Sequence, residues 1–239
     1  SALELRRRLA SLPAGELPRL FRLAVEVRLV LPQADTFLPL DDEQHAAVRA
    51  ALCARPRREL VPFFEDLARG PLELGERLEA HLVLAAVGEG ESLRLLLRLS
   101  TSPGEPVPPL ELRASFTQAM AAILRRAPAA IEQAPGLFGD SPPAFTASVV
   151  EAVARCEGRR ATEILAQFLG RVPGVDGLLL ARLGQRGRYS GRGEEFVFDA
   201  LRRYFQQNDP ALVAAAVRAS AELGDDGAVE PLIELLEHR

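Results

Sequence analysis

Apolar residues recur at intervals of three and four along most of this chain, in short runs broken by Gly, Pro and Asp. The pattern is clearest from Asp209 to His238. Leu212, Val213, Ala216, Val217, Ser220 and Leu223 share one helical face, apolar and mostly small. Asp209 is placed to cap the free amides of that helix, and Pro210 takes the first helical position, where its missing N–H costs nothing. Gly224 follows the last periodic residue, where a left-handed cap favours glycine. Asp225 and Asp226 make the turn and offer a second cap. Val229, Leu232, Ile233, Leu235 and Leu236 then form the face of a second helix, with Pro231 in its first turn. Two helices this short cannot bury their apolar faces alone, so they need neighbours of the same kind.

The Asp-Pro start, the Ala-rich first helix, the Leu-Gly-Asp turn and the Ala-Val-x-Pro-Leu-Ile-x-Leu-Leu run resemble the HEAT repeat. They are closest to the HEAT-like repeat named after phycobilisome lyases. The resemblance is specific over this one unit and weaker elsewhere. It implies an all-α, right-handed superhelix (an α-solenoid) whose second helices line the concave surface. It implies no reaction.

Weaker copies of the same unit predict about seven helix pairs, with atypical pairs at the ends of the stack. Their bounds are 3–31, 41–70, 71–100, 108–136, 143–170, 173–207 and 209–238. Val87, Cys156 and Leu223 hold the same place before their turns. Each interval covers two pairs, so the period is about 34 residues. In the first pair the second helix is expected over 17–31, followed by an extended loop from Pro32 to Asp42 carrying Phe37, Leu38 and Leu40. In the fourth pair a long first helix spans 110–126, and a short second one, Ala129 to Gln133, stops at Pro135 and Gly136. In the sixth pair a first helix over 175–183 leads into a Gly/Arg loop, Gly184 to Gly193, and a second helix over 194–207.

Composition agrees with many thin helical layers: 48% of the 239 residues are hydrophobic and only 5% aromatic, with no Trp. Formal charge is −4, which argues against a surface that is one broad nucleic-acid footprint. All 29 basic residues other than His are Arg. Cys53 and Cys156 sit apart in apolar helical contexts and read as buried small hydrophobes in a reducing, cytoplasmic setting. No apolar run approaches a membrane span. The chain starts Ser1-Ala2 and its single Met is Met120, so it reads as part of a longer protein.

Catalytic and metal chemistry find no constellation. Some HEAT-repeat enzymes bind iron through His-Glu pairs, but none of His45, His81 and His238 is followed by Glu. No Cys pair has zinc spacing. HEAT-like DNA glycosylases use Trp and Asp around the lesion, and Trp is missing here. Neither cofactor nor metal is expected, and no enzymatic activity.

Arginines form the most patterned polar feature. Arg57 and Arg58, Arg94, Arg125 and Arg126, Arg159 and Arg160, and Arg202 and Arg203 recur near the starts of successive predicted second helices. One reading is a basic ridge on the concave face that grips an acidic peptide, a carboxylate row or phosphates. The other, commoner in proteins, is an internal ladder to turn acids of neighbouring units, such as Glu157 or Asp225. A second candidate is Arg186, Arg188, Tyr189 and Arg192 on the Gly-rich loop, a short phosphate or nucleic-acid contact. The sequence therefore favours a non-enzymatic scaffold for a protein or peptide. A nucleic-acid-binding solenoid is the alternative, and an accessory subunit of a bilin-lyase-like enzyme, implied by the repeat name alone, is third.

Overall fold

A computed structural model describes residues 2–25, 42–101, 108–190 and 195–237. The elements are helices, and among the described residues there is no strand. They group into two compact halves, Ser1–Ile123 and Leu124–Arg239.

In the N-terminal half, α1 (Ala2–Ala10) lies on α3 (Asp42–Cys53). Helix α2 (Leu17–Val25) packs on α3 and on α5 (Leu74–Val87). Helix α4 (Arg57–Leu67) packs on α6 (Ser92–Ser100), and α5 also meets α6. The periodic leucines cause this: Leu20, Leu52, Leu60, Leu84 and Leu96 are fully buried. Phe21 meets Phe63 and Phe64 edge-on, each ring centre 5.5 Å away, so one aromatic cluster joins α2 to α4. Helix α5 opens with a capping box in which the Glu73 N–H donates to the Glu76 carboxylate at 2.9 Å. Helix α7 (Leu110–Arg126) follows with the predicted bounds.

In the C-terminal half, a 3₁₀ turn, Pro128–Gln133, runs into α8 (Ala134–Asp140). Helices α9 (Pro143–Ala154), α11 (Asp176–Ser190) and α13 (Pro210–Leu223) stack one on the next. Beside them α10 (Arg159–Gln167) packs on α12 (Glu195–Arg202). Consecutive helix pairs thus stack in chain order within each half, so the fold is all-α and of helical-repeat type. The unit from Asp209 behaves as its sequence requires. The Asp209 side chain accepts the Ala211 N–H at 2.8 Å, and Gly224 ends α13 in the left-handed conformation at φ 75°.

Three expectations are corrected. Pro135 and Gly136 do not stop a helix; they lie in the first turn of α8, where proline fits because those amides have no intrahelical partner. The segment 184–190 is helix, not loop. Gly184 is there for contact: a Cβ on it would stand 3.2 Å from the Ala219 Cα, so the missing side chain lets α11 and α13 meet closely. Asp225 does not cap α14 (Val229–Glu237), because its carboxylate is engaged elsewhere. The segment with Phe37, Leu38 and Leu40 lies outside the described residues.

Candidate functional site

The arginines divide into two sets by what faces them. The first set bridges consecutive helix pairs. Arg49 on α3 donates two hydrogen bonds to Glu79 on α5, at 2.7 and 2.6 Å. Arg57 at the start of α4 pairs with Glu89 and Glu91 in the turn before α6. Arg98 on α6 reaches back to Glu65 on α4 at 3.4 Å. In the C-terminal half Arg160 holds both Glu132 oxygens at 2.7 Å, and Arg182 holds Glu151 at 3.0 Å. Arg202 clamps Asp225, its Nε at 3.0 Å, and the Asp225 carboxylate is wholly buried. Partners stand 23 to 34 residues apart, up to about one repeat period. These pairs form rungs between units, and two-pronged geometry makes them stronger than single contacts. The hydrogen bond to Arg160 holds the Glu132 carboxyl below its ordinary pKa.

The second set is exposed. Arg58 and Arg94 in the N-terminal half, and Arg125 and Arg203 in the C-terminal half, have no acidic partner among the described residues. Arg159 is exposed and shares Glu163 with Arg160, at 3.1 and 3.0 Å. Two doublets therefore split the same way: Arg57 and Arg202 bridge units while Arg58 and Arg203 face solvent.

The expected common register does not hold for the whole series. Arg57, Arg58, Arg159 and Arg160 open α4 and α10, and Arg94 lies in the first turn of α6. Arg125 and Arg126, however, end the long first helix α7, and Arg202 is the last residue of α12. The 3₁₀ segment after α7, and the end of α12 at Arg202 instead of 207, put those positions at the C-terminal ends of their helices.

Arg186, expected on a loop, is buried in α11 and points inward. Its Nε donates to the Thr162 hydroxyl at 2.9 Å. Its other nitrogens donate to the carbonyls of Ala154, Cys156 and Gly158 at 2.9, 2.5 and 2.7 Å. The guanidinium thus satisfies the Ala154 carbonyl that the end of α9 leaves open and two carbonyls of the turn into α10. Arg55 does the same for α1, donating to the carbonyls of Ala10 and Leu12 at 3.1 and 2.5 Å. Neither role was legible from local spacing; the acceptors lie 24 to 45 residues away. The side chains of Arg188 and Tyr189, and all of Arg192, lie outside the described residues.

His45, His81 and Cys156 are built into the packing. His45 Nε2 is 2.8 Å from the Ala24 carbonyl. His81 is fully buried between two serines. The Ser100 hydroxyl donates to the Leu96 carbonyl at 2.7 Å, so it accepts from His81 Nε2 at 2.8 Å. Nδ1 then accepts from Ser115, 3.2 Å away. Burial, with a smaller push from Arg77, lowers the His81 pKa to about 3. Burial raises the Cys156 thiol to about 11, leaving it a poor nucleophile. Two grooves of about 460 and 580 Å³ flank α11. The first is lined by small residues with Gln185, Arg218 and Glu222, and the second by Arg155, Glu157, Arg182 and Arg186 around the Cys156 thiol. Among the described residues no group of three or more His, Cys, Asp or Glu could hold a metal, and no helix is long and apolar enough to cross a membrane.

No protein-family model and no curated protein matches the chain. Three solved structures that resemble it are designed or engineered proteins. A designed armadillo repeat protein, YIII(Dq)4CqI, is 14% identical, with a TM-score of 0.37 over 87% of this chain and all of its own. Two engineered proteins from the Northeast Structural Genomics Consortium, targets OR497 and OR329, are 15% and 16% identical. Their TM-scores are 0.38 and 0.29, over 98% and 94% of this chain and 77% and 89% of theirs.

Proposed function

We propose that the chain is a non-enzymatic scaffold that binds an acidic protein segment on the exposed face of its second helices, centred on Arg58 and Arg94. The observation that carries this reading is the division within the arginine doublets. Arg57 holds the repeats together, while its neighbour Arg58 presents an unneutralised guanidinium beside it. Arg94 adds a second unneutralised cation on α6, which packs on α4. Planar guanidinium forks match carboxylates in two-pronged geometry, so a row of them suits Asp- and Glu-rich peptide.

A fluorescently labelled oligoglutamate peptide tests this. Arg58→Glu with Arg94→Glu should weaken its binding at least about tenfold, the loss of one good charge-assisted contact, and leave the melting temperature unchanged. Arg159→Glu with Arg160→Glu should instead lower the melting temperature, because Arg160 holds Glu132. Unchanged peptide affinity in the first variant would sink the proposal. Tighter binding of a labelled single-stranded oligonucleotide, falling steeply with salt, would move the assignment to nucleic acid.

A further inference from the structure

Helix α14 is unlike every other helix that follows a first helix in this chain. None of its side chains is buried. Val229, Ile233 and Leu236 are 60%, 51% and 78% exposed. Among the described residues seven large hydrophobic side chains are exposed, and three of them sit on this nine-residue helix. They recur at helical spacing with half-buried Leu232, so they form one stripe rather than scattered single residues. Glu230, Glu234 and Glu237 flank the stripe, and the helix carries no basic residue.

The opposite character is found on α1 and α2. From Ala2 to Val25 there are five arginines and two glutamates. Arg6, Arg7 and Arg22 are exposed with no acidic partner among the described residues. Arg8 and Arg19 are also exposed, each facing one Glu on its own helix or the turn before it. Half-buried Leu5, Leu9 and Leu23 lie among them. An apolar stripe rimmed by three carboxylates thus has a counterpart of leucines rimmed by guanidiniums. A symmetric pairing of α14 with α14 would instead set glutamate against glutamate, which costs free energy.

We propose that α14 docks against α1 and α2 of a second copy of this chain. The contact joins two different surfaces, so it is heterologous and runs head to tail. It is separate from the Arg58–Arg94 surface, and either proposal can fail alone.

Sedimentation velocity on the full chain tests it. At low salt the average mass should rise with concentration. Glu230→Arg with Glu234→Arg should sediment as monomer, and so should Arg19→Glu with Arg22→Glu. An equal mixture of the two variants should restore association that rises with concentration, because the reversed faces match each other and so do the unaltered ones. Since α14 buries no side chain, the first variant should melt as the parent does. Ile233→Ser provides an arm that leaves α1 and α2 intact, and should weaken association about tenfold by removing apolar contact. A parent that stays monomeric overturns the proposal. So does association that survives the α14 reversal or Ile233→Ser, or a mixture of folded variants that stays monomeric.

Discussion

At the scale of single residues, neighbouring arginines with the same side chain do different work. Arg202 neutralises the wholly buried Asp225 carboxylate, whereas adjacent Arg203 faces solvent. Arg202→Ala should therefore destabilise by about 3 kcal/mol, since it leaves a buried charge without its partner. Arg203→Ala should stay within about 0.5 kcal/mol, and paired denaturant titrations compare them directly. Gly227→Ala should share part of the Arg202 defect, because a Cβ there would collide with the Arg202 guanidinium. The arginine pattern itself was legible in the sequence. Which member of a doublet is engaged was not, because the deciding acid lies on another unit. Asp225 was foreseeable as a rung partner; Glu79, Glu132 and Glu151 needed the repeat period applied to every Arg–acid combination.

His81 belongs to the same scale. Its folded pKa of about 3 lies below the ordinary value of 6.5, so the fold holds the neutral ring. Below pH 6.5 the unfolded chain takes up a proton that the native state refuses. Stability is thus present above pH 6.5 and falls as pH drops toward 3. Between pH 7 and pH 5 this group alone should remove about 2 kcal/mol. His81→Gln should be weaker at pH 7 but should lose that part of the slope, as read by thermal melts at both pH values.

At the scale of elements, cap chemistry and apolar spacing were sufficient for most helices. Helices α7 and α13 match their sequence reading, and α5 ends at Val87 before its expected turn, because each carries both a periodic face and a stop signal. Asp209→Ala should cost about 1 kcal/mol as a lost cap. Gly224→Ala should cost about 1 kcal/mol because alanine resists positive φ. Both are measurable by chemical denaturation. Failures came where glycine or proline has two meanings. Pro135 was compatible with a stop or with a first helical turn, and Gly184 with a loop or with a close helix crossing. Only the partner element decides, and local sequence does not contain it.

At the scale of the whole molecule, the ion-pair rungs and the carbonyl-capping arginines have one property in common. Each joins a helix pair to one nearby in the chain, and the described side-chain hydrogen bonds reach no further than 45 residues, from Arg55 to Ala10. Stability should then divide into contributions of pairs and of the interfaces between them. The basic surface proposed for an acidic partner uses the arginines that this scheme leaves over, so binding and stability can be altered independently.

Arg55 and Arg186 carry that locality one step further. Each closes the end of a helix made earlier in the chain, so the side chain that completes a unit always arrives after it. During synthesis a helix pair waits only for about one more repeat to leave the ribosome before its open carbonyls are satisfied. Folding of these pairs can therefore keep pace with translation, and a pause in translation should expose at most the pair most recently made.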